Sequence, residues 1–165
     1  MENIKKFLVF LGLLFIGLIG VYLYKRYQKP PQISFFTERF FDSSKREINL
    51  SSYKGNPFIV TFYASWCGDC IKELKELNAI KQSELSSIPV VCITDESFEK
   101  LLSFEQKKKY PFVFCKSIKS FNELRIHSIP VTYLINADGT VVYQHVGALN
   151  WTDNSFLQFA KNLLH

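Results

Sequence analysis

Apolar residues follow two kinds of pattern along most of the chain. From residue 58 to 64, and again from 88 to 94, apolar and β-branched residues run almost without interruption, as is typical of strands buried on both faces. Residues 71–80 and 97–109 instead place their apolar side chains at helical spacing, with charged residues between them. The two patterns predict two buried strands, each followed by an amphipathic helix.

The last third of the chain adds a hairpin and a helix. Residues 131–135 and 141–145 flank the sequence NADG, whose residues tolerate left-handed backbone and favour a tight turn. The segment 153–164 is amphipathic and opens with the capping residue Asp153. Four smaller elements are also expected: an irregular hairpin over residues 33–50, a turn over 54–57, a short strand over 112–115 and a helical turn over 121–125. The order predicts an α/β domain.

A different pattern occupies residues 7–24, which contain no charged side chain and are apolar on every side. As a helix they would extend about 27 Å, roughly the thickness of a bilayer core. The apolar region of a signal peptide is shorter, and here Lys25 and Arg26 follow with no small-residue cleavage pattern behind them. We therefore expect an uncleaved, single-pass membrane anchor.

The anchor divides the chain into three parts. Residues 1–27 form the anchor with its flanking charges, residues 28–32 a stiff linker around two adjacent prolines, and residues 33–165 the folded domain. Basic residues stand on both sides of the apolar segment, so the positive-inside rule does not decide which side of the membrane the domain occupies.

The net charge of +5 is concentrated near the N-terminus. Residues 1–30 hold five basic residues and one acidic residue, which leaves the folded domain close to neutral. Its compact basic run, residues 107–109, is typical of a solvated helix end. A nucleic-acid surface needs basic residues concentrated on the fold, so we expect no nucleic-acid partner. The 47% hydrophobic content is enough for a real core.

Candidate chemistry lies where the first buried strand ends. Cys67 and Cys70 stand at the start of the helix that follows this strand, with two residues between them. Unpaired backbone N–H groups and the helix dipole favour a thiolate at this place. Cys67 would then attack a disulfide, and Cys70 would resolve the resulting mixed disulfide. The pair predicts dithiol-disulfide exchange.

Two other uses of this pair are a purely structural disulfide and half of a zinc site. A four-sulfur zinc site needs a second close pair, whereas Cys92 and Cys115 stand 23 residues apart. These two cysteines lie in apolar strands and are expected to act as small buried hydrophobes. His127 and His145 lack ligand-like spacing. We therefore expect no metal and no cofactor beyond a redox-active disulfide between Cys67 and Cys70.

Two ordered motifs carry a family resemblance. The segment FYASWCGDC at residues 62–70 resembles the active-site segment of thioredoxins, and IPVTYLI at residues 129–135 resembles the cis-proline loop of the same superfamily. With the anchor and the extra segment between the motifs, the chain is most similar to the TlpA/ResA-like membrane-anchored thiol-disulfide oxidoreductases. The resemblance implies a thioredoxin-like fold over residues 33–165, with a central mixed β-sheet flanked by helices.

The resemblance also implies roles for single residues. Pro130 should follow a cis peptide bond after Ile129 and lie against the cysteine pair, where both residues bind an extended substrate segment. Trp66 should be a surface aromatic beside the nucleophile, a role that is compatible with packing. Glu73 matches a glutamate near the active site of ResA-like proteins and is a candidate proton acceptor. The alternative for Glu73 is an ordinary solvated helix glutamate.

Two positions depart from the family pattern. Many thioredoxins carry a buried aspartate six residues before the first cysteine, where this chain has Thr61. The usual proton acceptor is therefore missing, and Glu73 or a water molecule is its expected substitute. Asp69 replaces the proline often found before the second cysteine; its charge repels a thiolate, while helix N-termini favour acids.

The expected function is dithiol-disulfide exchange on proteins outside the cytoplasm, with the catalytic domain on the periplasmic side of the membrane. The resembling subfamily mostly reduces its substrates, and apocytochrome disulfides before haem attachment are one implied class. We expect a monomer with protein thiol or disulfide substrates and an upstream membrane dithiol protein as electron donor. The alternative is a membrane-tethered binding or folding-helper domain with a non-catalytic disulfide. A thiol peroxidase would need a Pro-x-x-x-Thr-x-x-Cys segment, which the sequence lacks.

Overall fold

The computed structural model describes residues 2–27 and 30–164, which contain four α-helices, a short 3-10 helix and seven strands. The helices are α1 (Glu2–Tyr27), α2 (Gly68–Lys81), α3 (Phe98–Lys108) and α4 (Asn154–Leu164), with a short 3-10 helix at Leu50–Tyr53. The strands are β1 (Phe40–Phe41), β2 (Glu47–Ile48), β3 (Phe58–Phe62), β4 (Val90–Thr94), β5 (Val113–Ser117), β6 (Val131–Ile135) and β7 (Val141–Val146). The predicted order of elements is confirmed.

These strands form one mixed sheet in the order β2-β1-β5-β4-β3-β6-β7. β3, β4 and β5 run parallel, while β6 is antiparallel to both β3 and β7. All residues of β3 are buried, because the strand lies between two others and is covered on both faces. The carboxyl end of this central strand leads directly into the cysteine pair.

The two faces of the sheet are covered by different kinds of structure. α2, α3 and α4 pack on one face through apolar residues that include Leu74, Leu101 and Leu157. Right-handed crossovers explain why the helices of the two consecutive βαβ units lie on the same side. The opposite face is covered by the segment 33–53 and by residues 121–126. The helix α2, which begins at the cysteine pair, therefore lies over one face of the central strands.

Of two small predicted elements, the first is shorter than the sequence indicates and the second has the predicted extent. The hairpin expected over residues 33–50 pairs only β1 with β2, where Asp42 closes the turn by accepting two backbone N–H hydrogen bonds at 2.8 and 2.9 Å. Residues 121–125 form a hydrogen-bonded turn in which the Leu124 N–H donates to the carbonyl oxygen of Ser120. Local hydrogen bonds thus complete both elements without a longer ladder or helix.

α1 is separate from the core in composition and contacts. Its segment Ile4–Tyr24 is long and apolar enough to cross a membrane, a property shared by membrane anchors and N-terminal signal sequences. The described side chains of this segment are exposed to the surroundings rather than buried in the domain. Of the expected linker, residues 28 and 29 lie outside the described residues. The carbonyl oxygen of Pro31 accepts a hydrogen bond from the Tyr133 hydroxyl at 2.8 Å, so the chain contacts the sheet from there onward.

Candidate active site

Cys67 and Cys70 form a disulfide at the N-terminus of α2. Cys67 is the capping residue of this helix: its backbone is extended, and its sulfur accepts the backbone N–H of Cys70 at 3.1 Å. The two residues differ in accessibility, since Cys67 is 8% exposed and Cys70 is 1% exposed. A protein that approaches this disulfide therefore meets the sulfur of Cys67 first.

The loop before β6 lies against the same sulfur. The peptide bond between Ile129 and Pro130 is cis, as the resemblance implied, and the Ile129 carbonyl oxygen is 3.9 Å from Sγ of Cys67. Pro130 is buried, whereas Ile129 is partly accessible. Trp66, directly before Cys67 in the chain, is 72% exposed. The accessible sulfur is thus bordered by a backbone carbonyl and by a large exposed ring.

Glu96 fixes the loop that carries Trp66, and the sequence analysis did not find it. Its carboxylate accepts hydrogen bonds from the Ser65 backbone N–H at 2.6 Å and the Ser65 hydroxyl at 2.9 Å, and it pairs with Lys100 at 3.2 Å. Burial acts to raise the pKa of Glu96, but these donors outweigh it and hold the pKa below its usual value. The sequence contained a signal for this contact. Glu96 follows β4 and Ser65 follows β3, and the carboxyl ends of neighbouring parallel strands lie at the same edge of the sheet.

Glu73 lies on the buried side of α2, one turn after Cys70, and is 1% exposed. Its Oε1 accepts a hydrogen bond from the Thr132 hydroxyl at 2.6 Å, and its Oε2 accepts the backbone N–H of Leu149 at 2.8 Å. The alternative of a solvated helix glutamate is therefore wrong. The contact with Leu149 is made through the backbone, so no side-chain pattern in the sequence could reveal it.

Burial raises the pKa of Glu73 to about 7, because removal from water disfavours the charged form. Hydrogen bonds from Thr132 and Leu149 oppose this shift, and the charge of Glu76 adds to it. The fully buried indole N–H of Trp151 also favours the charged form, although it makes no hydrogen bond within ordinary geometric limits. A carboxyl group that titrates near neutral pH is suited to accepting and releasing a proton.

Thr61, which stands where many thioredoxins carry an aspartate, is connected to this carboxyl group. Its hydroxyl oxygen is 3.0 Å from the hydroxyl oxygen of Thr132. Thr61 is the register partner of Thr132 on β6 and of Cys92 on β4, so all three side chains face α2. The threonine in the segment IPVTYLI is Thr132. A hydroxyl group in this mostly apolar segment was a signal for the network that the sequence analysis did not use.

The remaining cysteines behave as the sequence analysis expected. Cys92 and Cys115 are free and buried, and they belong to the cores on opposite faces of the sheet. Burial raises the pKa of both thiols. Asp69 is exposed between the paired cysteines. Within the described residues, no group of three or more His, Cys, Asp or Glu side chains is arranged to hold a metal ion.

A disulfide that opens a helix after a central parallel strand, against a cis-proline loop, defines a thioredoxin-like dithiol-disulfide protein. The chain belongs to the AhpC/TSA family, whose sequence profile matches residues 31–144. It is 26% identical over 155 residues to "Thiol-disulfide oxidoreductase ResA" of Bacillus cereus, with 88% of this chain and 90% of that protein covered. It is 26% identical over 99 residues to "Thiol:disulfide interchange protein DsbE" of Pasteurella multocida, with 59% and 54% covered.

Solved structures support the same fold. A secreted Mycobacterium tuberculosis disulfide oxidoreductase homologous to E. coli DsbE superposes with a TM-score of 0.63 at 18% identity, covering 78% of this chain and 99% of that one. The pneumococcal lipoprotein thioredoxin Etrx1 gives a TM-score of 0.59 at 21% identity, covering 75% and 97%. The thioredoxin-like fold is confirmed, and the chain is a thiol-disulfide oxidoreductase of the ResA/DsbE type.

Proposed function

We propose that this oxidoreductase reduces disulfides of other proteins outside the cytoplasm, with Cys67 as nucleophile and Cys70 as resolving cysteine. The observation that supports these roles most directly is the unequal exposure of the two residues at the N-terminus of α2. Only the accessible sulfur can be reached by a bulky substrate, while the covered one is placed to attack its neighbour. The reducing direction is supported by the resemblance to a subfamily that mostly reduces its substrates.

The exchange takes place in two successive thiol–disulfide exchange steps. In the reduced enzyme the thiolate of Cys67 attacks one sulfur of a substrate disulfide, which forms a mixed disulfide and releases the first substrate thiolate. The sulfur of Cys70 then loses its proton and attacks Cys67, which releases the second substrate thiolate and closes the disulfide present in the structure. Two electrons have passed to the substrate. An upstream membrane dithiol protein would return them by the reverse exchange.

Glu73 is proposed as the acceptor of the proton that Cys70 loses. It follows Cys70 by one turn on the buried side of α2, and its pKa of about 7 lets it take up this proton near neutral pH. A cleft of about 280 Å³, lined by Lys72, Glu76 and Asn150 among others, reaches this carboxyl group from the surface. The cleft gives the proton a way to solvent that does not pass the bound substrate.

Trp66, Ile129 and Pro130 are proposed to bind the substrate segment that carries the disulfide. The ring of Trp66 offers exposed apolar surface, and the Ile129 carbonyl oxygen lies beside the reacting sulfur. A backbone carbonyl and an apolar ring can bind the peptide backbone and the apolar side chains of a substrate. Protein disulfides are therefore the proposed substrates, and apocytochromes before haem attachment are one class of them.

The proposed placement in the cell rests on α1. Residues 1–27 anchor a single protein chain in the membrane, residues 28–32 link it to the domain, and residues 33–165 carry out the exchange on the extracytoplasmic, periplasmic side. The anchor is supported by the length and apolar character of the segment Ile4–Tyr24. We propose a monomer without a nucleic-acid partner and without a cofactor other than the disulfide.

Reduction of insulin disulfides by the full chain in detergent, with dithiothreitol as electron source, tests the enzymatic role. The wild type should accelerate insulin precipitation, and Cys67→Ser should abolish the acceleration. Cys115→Ser removes a buried free thiol on the opposite face of the sheet instead and should leave the rate unchanged. A correctly folded wild type without turnover would favour the alternative of a binding or folding-helper domain with a non-catalytic disulfide.

Trapping in the native membrane tests the choice of substrate and the direction of exchange. Cys70→Ala removes the resolving sulfur, so mixed disulfides between Cys67 and its partners should accumulate. Trapped partners that accumulate as disulfides in cells lacking the enzyme support the reducing direction. Trapped partners that accumulate as dithiols in those cells would contradict it. The double variant Cys67→Ser with Cys70→Ala is the control for non-specific thiol capture.

A further inference from the structure

Three buried polar groups are connected beneath the disulfide: the carboxyl group of Glu73 and the hydroxyl groups of Thr132 and Thr61. The Thr132 oxygen is 2.6 Å from Oε1 of Glu73 and 3.0 Å from the Thr61 oxygen. Each of the three residues is at most 1% exposed. The Thr132 hydroxyl has a single hydrogen, so it can donate to only one of its two neighbours at a time.

The two oxygens of Glu73 meet donors of different kinds. Oε2 accepts the backbone N–H of Leu149 at 2.8 Å, and a backbone N–H can only donate. In the neutral carboxyl group, Oε2 is therefore the carbonyl oxygen and the proton resides on Oε1. That oxygen faces the hydroxyl of Thr132, which can rotate and either donate or accept.

We propose that Thr132 and Thr61 are positioning residues that keep Oε1 of Glu73 hydrogen-bonded in both of its protonation states, because the Thr132 hydroxyl can reverse its direction. When Glu73 is ionised, Thr132 donates to Oε1 and accepts from Thr61. When Glu73 is protonated, its O–H donates to Thr132, which rotates and donates to Thr61. The direction of two hydrogen bonds reverses while no heavy atom has to move.

This hydroxyl pair explains how a site without the usual strand aspartate can hold a working carboxyl group. A buried donor without an acceptor costs free energy, and a carboxylate without donors costs more. A hydroxyl group at position 132 that could not rotate would suit only one protonation state of Glu73. The other state would then meet one of these costs. The inference rests on the proposed role of Glu73 as proton acceptor in the exchange reaction.

Other groups around the network have to be distinguished from it in any titration. They are Lys72 and Glu76 on α2, Cys92 on β4, His145 on β7 beside Thr132, and Trp151 after β7. Burial raises the pKa of Cys92 and lowers the pKa of His145, so both are largely uncharged near neutral pH. The infrared absorption of the protonated carboxyl group separates Glu73 from the neighbours without a carboxyl group, and the difference between wild type and Glu73→Gln separates it from Glu76.

The test is an infrared pH titration of the oxidised full chain in detergent, with the difference between wild type and Glu73→Gln used to assign the Glu73 band. Thr132→Val should raise the titration midpoint by about one to two units, because the ionised form loses a charge-assisted hydrogen bond. Thr132→Ser restores the hydroxyl and should return the midpoint. Thr61→Val should move the midpoint much less, because it removes the hydrogen bond between the two hydroxyl groups from both protonation states.

A large upward shift in Thr132→Val beside a small shift in Thr61→Val is the signature of this arrangement. Ser117→Ala removes a buried hydroxyl on β5, outside the network, and should leave the midpoint where it is. An unchanged midpoint in Thr132→Val, or a shift in Thr61→Val as large as that in Thr132→Val, would overturn the inference. If Thr132→Val does not fold, Thr132→Ala removes the same hydroxyl group and decides in its place, with an unchanged midpoint counting against the inference.

Insulin-disulfide reduction by the same proteins separates this inference from the proposed function. An inactive wild type defeats the reductase proposal whatever the carboxyl titration shows. An active wild type whose midpoint is unaffected by Thr132→Val defeats only the hydroxyl pair. If both proposals hold, the pH profile of reduction should move in the same direction as the titration midpoint in each threonine variant.

Discussion

Glu73 is a carboxyl group that folding removes from water without an ion-pair partner. None of the ion pairs in the described part of the chain includes it. Hydrogen bonds from Thr132 and Leu149 compensate in part, but burial dominates and its pKa is about 7. Between the pKa of the unfolded chain, about 4.3, and this value, the folded state holds a proton that the unfolded state releases. Folding is therefore less favourable above this window than below it.

Glu73→Gln should stabilise the oxidised protein in a pH-dependent way. Glutamine presents a neutral group of the same shape to Thr132 and Leu149, so the cost of ionisation disappears. At pH 8 the free energy of unfolding should rise by up to about 3 kcal/mol, and near pH 4.5 the difference should be small. Urea denaturation at both pH values measures it.

Glu76→Gln is the matched control for this prediction, since Glu76 lies on the same helix but is only partly buried. It should leave most of the pH dependence in place. A Glu73→Gln variant whose stability depends on pH as steeply as that of the wild type would show that another group is responsible.

At the scale of elements, the turn between β6 and β7 packs against Phe36, which is distant in the chain. Gly139 in its turn has a φ of +89°, and a Cβ atom there would lie 2.7 Å from the ring of Phe36. Gly55 has a similar φ of +93°, but a Cβ atom at that position would meet nothing within 4 Å. The NADG sequence predicts the turn, whereas the close approach of Phe36 belongs to the assembled fold.

Gly139→Ala and Gly55→Ala should therefore differ in their effect on stability. Both place a side chain on left-handed backbone, which costs about 1 to 2 kcal/mol. Gly139→Ala must also displace the Phe36 ring, which should cost about 1 to 3 kcal/mol more. Urea denaturation of the two variants under one set of conditions measures the difference. Equal losses would show that Phe36 moves aside freely.

At the scale of the whole molecule, α1 and the domain are built for different surroundings. The side chains described in the segment Ile4–Tyr24 are exposed, while the sheet has its own cores on both faces. Among the described residues, neither core includes a residue of α1. In the proposed arrangement, α1 sets where the chemistry happens, and the domain sets what the chemistry is.

Deletion of residues 1–29 should leave a domain that is released from the membrane fraction and folds as the full chain does. Its free energy of unfolding should agree with that of the full chain in detergent to within about 0.5 kcal/mol, as for changes away from the core. Carbonate extraction followed by urea denaturation checks both parts. A loss well above 1 kcal/mol would mean that α1 packs on the domain.

Labelling with a membrane-impermeant maleimide should show the side on which the domain lies. After mild reduction of intact cells, Cys67 is the thiol expected to react, because it is 8% exposed whereas Cys70, Cys92 and Cys115 are at most 1% exposed. Labelling of the wild type but not of Cys67→Ser supports the extracytoplasmic placement. Labelling that appears only after the cells are lysed would place the domain in the cytoplasm.

The sequence by itself determined the elements and the two cysteines that form the disulfide. Apolar periodicity is a local property, so it located α1, the buried strands β3 and β4, the helices and the final hairpin to within a few residues. Cys67 and Cys70 follow a strand and open a helix, and that adjacency in the chain is sufficient to predict their chemistry. The resemblance to thioredoxins added the cis peptide bond before Pro130, which no local pattern predicts.

Only the tertiary structure decided what surrounds the pair. Periodicity marks a helix position as inward or outward, but it does not identify the groups that meet it there. Glu73 is buried because β6 and the loop after β7 bring Thr132 and Leu149 to it, and the Leu149 contact spans 76 positions of the chain. Glu96 reaches Ser65 over 31 positions because two parallel strands end side by side. A carboxyl group's pKa depends on these partners and on the water they displace, and both are fixed only when the sheet is assembled.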